Sequence, residues 1–285
     1  MKFGKFSSCL VVGVLFGSVA HAYIVPSQFI VKSIAGKKVG PKSLRIRSTV
    51  TLMEHGTPSS VKFKEITVLD LSTHFLKSRA YDETGQELYA IERRLNGTES
   101  APIVVNGLLF ENRTDLLTRS LKEAGIPIRT ETELAEMKDE EVRRASEITS
   151  LVRWQGMASF VVGQNRPRYP QLWVERDQFY PIRLVIGTSA GTMDYRFENY
   201  RTGLKEFPYP RQISVATATS IRPFRYDSPP PVNEDVFLRA EINDVAFNPE
   251  SNEFKGTVTA GFTARGDSMD SRMKDLIQKY YQLVR

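Results

Sequence analysis

The amino-acid sequence predicts a mainly β fold with some α-helix: a strongly curved, barrel-like antiparallel sheet accompanied by a few helices. The first observation behind this prediction is alternation. In residues 42–53 the even positions from Leu44 to Leu52 are mostly apolar, and the odd positions are mostly polar. Residues 237–243 and 254–262 alternate in the same way, which is typical of antiparallel strands with one polar face.

The second observation is the number of strand-like segments. A sheet with so many strands must curl or close, which favours a strongly curved, barrel-like sheet. Within the first of these segments the apolar phase slips between Phe63 and Ile66, so we expect a bulge there or a strand covered on both faces. The segments are 60–71, 74–82, 86–94, 103–110, 155–163, 170–176, 180–187, 192–200 and 211–217.

The third observation is that helical periodicity is confined to a few places. We expect one helix at 26–36, a helical insertion at about 111–154 and a C-terminal helix at about 268–285. Within the insertion, Thr114 is predicted to cap one helix. Thr130 and Glu133 have the spacing of a capping box at the start of the next. These helices are expected to cover the sheet.

Residues 1–22 have the organisation of a cleaved secretory signal peptide. Lys2 and Lys5 precede an apolar run at 9–19, and small residues at 20 and 22 form a cleavage site. The remaining residues, 23–285, are predicted to form one exported domain. The single cysteine, Cys9, lies in the predicted signal peptide, which leaves the mature chain without a disulfide or a thiolate nucleophile.

Composition and motifs exclude several functional classes. The basic residues are scattered rather than clustered on one face, so the sequence does not predict nucleic-acid binding. Beyond the signal peptide, His55 and His74 are the only histidines, and neither belongs to a metal-binding motif. No glycine-rich nucleotide motif occurs, and we expect no cofactor.

The pentapeptide at 187–191, Gly-Thr-Ser-Ala-Gly, matches the G-x-S-x-G signature of serine hydrolases. A nucleophile elbow requires a strand, a sharp turn and then a helix, with a histidine later in the chain. Here Met193, Tyr195 and Phe197 alternate with polar residues, as in a second strand, and both histidines precede Ser189. The sequence therefore predicts a β-hairpin turn and a protein that is not an enzyme.

Residues 169–186, followed by 195–215, resemble the central hairpin of the LolA/LolB-like group, which comprises periplasmic lipoprotein carriers, outer-membrane lipoprotein acceptors and their relatives. Residues 242–254 resemble a sequence motif that occurs late in the chain of some members. The chain departs from the carriers at 71–74, where Leu-Ser-Thr-His stands in place of an Arg-Pro pair. The positions that fit the pattern are Trp173, Pro181, Arg183, Phe197, Tyr200, Phe207, Pro208, Ile213 and Val215.

The resemblance implies that residues 23–285 form a curved antiparallel half-barrel, that is an unclosed β-barrel, covered by a few helices. It also implies an apolar cavity that holds the acyl chains of lipoproteins or phospholipids. It also implies a role in lipoprotein sorting or outer-membrane envelope maintenance, with inner- or outer-membrane sorting components as partners and a monomeric state. Alternation shows which residues share a face of the sheet but not whether that face encloses a cavity. A solid core at these residues is therefore the alternative interpretation. The predicted lining residues are Leu44, Ile46, Val50, Leu52, Val61, Phe63, Ile66, Val68, Phe160, Leu184, Ile186, Tyr195 and Phe197.

Two other functions remain open on the sequence alone. A non-enzymatic regulatory or structural envelope protein would use the insertion at 111–154, with its charged surface, to bind a protein partner. A serine esterase would act through Ser189.

Overall fold

The computed structural model describes residues 25–94, 101–141, 148–164, 166, 168–202, 207–217, 236–249 and 269–285. Its helices are α1 (Ser27–Gly36), α2 (Ala101–Phe110), α3 (Thr114–Glu123), α4 (Glu131–Glu136) and α5 (Ser271–Leu283). Its strands are β1 (Ser43–Glu54), β2 (Thr57–Asp70), β3 (Phe75–Tyr81), β4 (Glu87–Arg94), β5 (Thr149–Trp154), β6 (Met157–Gly163), β7 (Gln171–Glu175), β8 (Pro181–Thr188), β9 (Gly191–Thr202), β10 (Pro208–Thr217) and β11 (Val236–Phe247).

The strands form a single antiparallel sheet in the order β4-β3-β2-β1-β11-β10-β9-β8-β7-β6-β5. Two meanders, β1–β4 and β5–β11, are joined where β1 pairs with β11. Within the described residues β4 and β5 form the two edges and do not pair with each other, so the sheet is not closed. The predicted fold class, an unclosed antiparallel sheet covered by helices, is confirmed.

One face of the sheet, called here the inner face, packs against the helices and forms the main core. Ile30 and Ile34 of α1 and Leu276 and Ile277 of α5 are buried in the same cluster as the inner-face strand residues. Burial of this kind, about 25 cal/mol for each Å² of apolar surface removed from water, is the main force that holds the helices on the sheet.

Residues 103–110 form the helix α2 and not the strand predicted from the sequence. Eight of the ten α2 residues are buried, so this helix carries no polar stripe to show a period of 3.6. A short apolar run rich in valine and isoleucine cannot be assigned to strand or helix by periodicity alone. Pro102 is compatible with the first turn of α2, because the backbone N–H groups there have no carbonyl partner within the helix and proline has no N–H.

The bulge expected between Phe63 and Ile66 is absent from β2. Its pairing runs without a break from Val50 opposite Phe63 to Leu44 opposite Leu69. The apparent slip arises because Glu65 and Thr67 occupy inner-face positions, where they are buried. Polar side chains on the buried face broke the apolar pattern while the backbone remained regular.

The region at 111–154 combines helices with a strand. The Thr130–Glu133 capping box of α4 is present as predicted, whereas α3 starts at Thr114 with Arg113 in the cap position. Residues 149–154 form the edge strand β5, which the prediction had included in the helical insertion. The strand predicted at 254–262 lies outside the described residues.

Candidate functional site

The predicted lining residues fall into three groups. Leu52 is half-buried and packs against the main core, while Ile66 and Val68 lie on the opposite face of β2 because Glu65 and Thr67 occupy the inner positions. The residues that are members of the main core are Leu44, Ile46, Val50, Val61, Phe63, Phe160, Leu184, Ile186, Tyr195 and Phe197.

Helices fill much of the space over these residues. The ring of Tyr280 in α5 meets that of Phe63 edge to face, with 5.6 Å between the centroids. Ile30 of α1 and Leu108 of α2 are fully buried in the same cluster. The central part of the inner face is therefore packed against helices, as in the solid-core alternative.

A cavity of about 410 Å³ lies at one end of this core. It is bounded by the first turn of α2, the C-terminal ends of α3 and α5, and the turn that joins β8 to β9. Of the predicted lining residues, Ile186 is the one that contributes to its described wall. The lining residues are Ala101, Ile103, Val104, Ser120, Glu123, Ala124, Ile186, Gly187, Thr188, Ser189, Ala190, Gln282 and Leu283.

The Gly-Thr-Ser-Ala-Gly segment forms the tip of the β8–β9 hairpin, as predicted, with Ser189 and Ala190 between the strands. The Thr188 hydroxyl donates to the Gly191 carbonyl at 2.8 Å and accepts from the Ala190 amide at 3.2 Å. Gly191 has a φ of 111°, a conformation suited to glycine. Ser189 is therefore an exposed turn residue at the cavity rim and does not sit on a strand-to-helix elbow.

Polar side chains from α3, α5 and the β8–β9 turn contribute to the cavity wall. The Ser120 Oγ is buried and has no hydrogen-bond partner in the described structure. Glu123 is the one charged residue among the described residues of the wall, and Gln282 adds a side-chain amide.

Beside the cavity, α5 is fixed to the sheet by a buried polar network centred on Glu65. The carboxylate accepts from the hydroxyls of Ser48, Ser78 and Tyr280, each at 2.7 Å. The Arg285 Nε lies 3.3 Å from both carboxylate oxygens. Burial raises the pKa of Glu65, but Arg285 and the three hydroxyls outweigh it, so that the pKa lies below its ordinary value.

The network continues into α2. The Arg285 guanidinium donates to Asn106 Oδ1 at 2.9 Å, and the Asn106 amide donates to the carbonyl of Val284 at 2.8 Å. The Tyr281 hydroxyl lies 3.0 Å from the Ser78 hydroxyl. Sequence reasoning missed this network. The signal that could have revealed it was the pair of polar residues, Glu65 and Thr67, in phase with Phe63.

The opposite, outer face carries a second buried cluster around Trp154 and Trp173. The Arg183 guanidinium lies 5.1 Å from the Trp154 ring centroid and 5.5 Å from that of Trp173. It also pairs in a bidentate manner with Asp194, at 2.8 and 3.0 Å. These contacts explain in physical terms why tryptophan and arginine occupy positions 173 and 183.

A third group of ionisable residues joins α1 to the loop after α2. The Lys38 amine is buried and donates to the Leu108 carbonyl. Burial lowers the pKa of Lys38 to about 7, an effect that the charge of Glu111 partly offsets. The His74 Nδ1 lies 3.1 Å from the Glu111 carboxylate. No group of three or more potential metal ligands occurs among the described residues.

Some solved structures are similar to this chain. No family model and no curated protein matches the chain. A solved outer membrane lipoprotein-sorting protein domain from Vibrio parahaemolyticus is similar, with a TM-score of 0.44, 10% identity, and coverage of 79% of this chain and 94% of the other.

Two further structures are similar over the same extent. A LolA superfamily protein from Nitrosomonas europaea has a TM-score of 0.40 and 10% identity, with 79% and 95% of the two chains covered. A DUF1329 family protein from Desulfovibrio piger has a TM-score of 0.38 and 9% identity, with 78% and 92% covered. The similar structures include a LolA superfamily protein, from the group that the sequence resembles. None of the described helices is long and apolar enough to span a bilayer.

Proposed function

We propose that this protein is a non-enzymatic lipid- or lipoprotein-binding protein of the periplasm, which acts in lipoprotein sorting or envelope maintenance. The observation that carries the proposal is the cavity of about 410 Å³ at the end of the half-barrel. Small-molecule sites usually have volumes of roughly 300–1,000 Å³ and mainly apolar walls. The cavity has the size expected for one acyl chain, and part of its wall is apolar.

The apolar part of the wall comes from three directions. Ile103 and Val104 lie on α2, Leu283 on α5 and Ile186 on β8. Each methylene that leaves water for such a surface contributes about 0.8 kcal/mol, so an acyl chain needs only a matching surface and no reactive group. The predicted signal peptide at 1–22 supports the periplasmic location.

The proposal is tested by filling the cavity. Ala124 lies at the end of α3 in the cavity wall, and Ala124→Trp puts an indole ring into the space proposed for the acyl chain. We expect the affinity for monolauroylglycerol, an uncharged single-chain lipid, to fall by about tenfold or more, because the indole ring and the acyl chain would occupy the same space. Overpacking costs about 1–3 kcal/mol, and about 1.4 kcal/mol corresponds to a tenfold change in affinity. Isothermal titration calorimetry measures the affinity.

The matched control is Ala135→Trp, an exposed position on α4, which does not line the cavity. This variant is expected to bind the lipid as the unchanged protein does, and thermal unfolding verifies that both variants are folded. A wild-type protein that binds no single-chain lipid, or an Ala124→Trp protein that binds with unchanged affinity, would exclude the proposed site.

A further inference from the structure

The electrostatic character of the cavity is set by one charged side chain and three helix ends. Glu123 is the one formal charge on the described part of the wall. Among the described residues it forms no ion pair, so its charge is available to a ligand. A cationic group in the cavity would be attracted to it, and a carboxylate would be repelled.

The helix ends add to this charge. The α3 wall residues Ser120, Glu123 and Ala124 belong to its last turn or cap, and α5 contributes its last two residues. The C-terminus of a helix carries about half a negative charge, and the N-terminus about half a positive charge. One positive end, that of α2, faces two negative ends, so the sum with Glu123 is negative.

The hydrogen-bonding groups of the wall do not distinguish a cation from an anion. Gln282 carries a side-chain amide and Ser189 a hydroxyl, and each of these groups can donate as well as accept a hydrogen bond. The selectivity of the cavity therefore depends on its charge.

We propose, on the basis of the function proposed above, that the cavity selects single-chain lipids with a cationic amine at their polar end and discriminates against free carboxylates. Glu123 is the residue that determines this selectivity. The net charge of the sequence is +6, so non-specific attraction would favour the opposite, anionic class. A preference for the amine would therefore arise from the negative charge of the cavity and not from the net charge of the protein.

The test compares three twelve-carbon ligands, dodecylammonium, monolauroylglycerol and laurate, below their micelle concentrations by calorimetry. The expected order of affinity is amine, then neutral lipid, then carboxylate, with about tenfold between amine and carboxylate. Glu123→Gln is expected to remove most of that ratio, and Glu123→Lys to invert it. Glu136→Gln, an exposed change on α4 outside the cavity, is expected to preserve it.

The outcomes separate the two proposals. Loss of binding for all three ligands in the unchanged protein would contradict the proposed function itself. Equal affinities for amine and carboxylate, or a ratio that survives Glu123→Gln, would contradict the selectivity while leaving lipid binding intact. An unaltered affinity for monolauroylglycerol in Glu123→Gln would show that the variant is folded and the cavity open.

Discussion

At the scale of single residues, Glu65 connects the helix α5 to the sheet. Placing a carboxylate in the core has a large desolvation cost, which the Arg285 charge and three hydroxyl donors offset. Such a pair contributes little net stability relative to apolar residues of the same volume. Because the Glu65 carboxylate and the Arg285 guanidinium must be in contact, the pair restricts the position of α5 on β2 more than apolar packing alone does.

We expect Glu65→Gln to lower the free energy of unfolding by about 3–5 kcal/mol, because it leaves the buried Arg285 guanidinium without a counter-charge. Urea denaturation measures the loss. The control is Glu83→Gln, which breaks the surface pair of Glu83 with Lys62 at 2.9 Å and is expected to leave stability nearly unchanged. A similar effect of both changes would mean that the buried pair is not specially coupled.

At the scale of elements, most strands could be predicted from the sequence because apolar alternation reports directly on a half-buried sheet. The hairpin at 187–191 was predicted for the same reason: the residues after the turn alternate as a strand does. The helix α2 could not be predicted, since burial on all sides removes its periodicity. Ile66 and Val68 were placed on the wrong face because apolarity, and not register, decided their assignment.

The cavity could not be predicted from the same pattern. Its wall combines residues from α2, α3, α5 and the β8–β9 turn, which are brought together only by the packing of the helices on the sheet. The alternation of apolar and polar residues along a strand does not show where the helices that pack over that strand end. Of the wall, the sequence identified Ile186, which is an inner-face strand residue.

The β8–β9 turn allows a direct test of its backbone. Gly191 has a φ of 111°, and a Cβ there would meet nothing within 4 Å, so any cost of Gly191→Ala comes from the backbone alone. We expect a loss of about 1–3 kcal/mol in unfolding free energy. Gly187→Ala, in the same turn with equally open space but no positive φ, is expected to cost much less. Equal losses would contradict the assigned turn conformation.

At the scale of the whole molecule, stability is expected to depend on pH in two separate ranges. Glu65 and Asp194 have folded-state pKa values below the ordinary ones, so their contribution is present at neutral pH and lost as the pH falls through those values. The pKa of Lys38 is lowered from 10.5 to about 7, so the unfolded chain binds more protons between these values. Stability therefore rises with pH in that range.

Denaturation from pH 7 to about 9.5, below the ordinary pKa of tyrosine, measures the contribution of Lys38. We expect the unfolding free energy to increase across this range in the unchanged protein and to be nearly constant in Lys38→Met. The loss of stability in acid is expected to persist in the variant, because Glu65 and Asp194 are unchanged. A rise with pH that survives Lys38→Met would assign the effect to other groups.

The pairing of β1 with β11 also bears on the time course of folding. Arg45 and Asp244, which lie 3.4 Å apart across this pair, are separated by 199 positions in the chain. Closing so long a loop costs little extra in equilibrium terms, about 0.6 kcal/mol per doubling of its length, but pairings between distant segments form slowly. Until β11 has paired with β1, the edge of β1 is open to pairing with a strand of another molecule. We therefore expect newly made chains to be most prone to aggregate before this pairing forms.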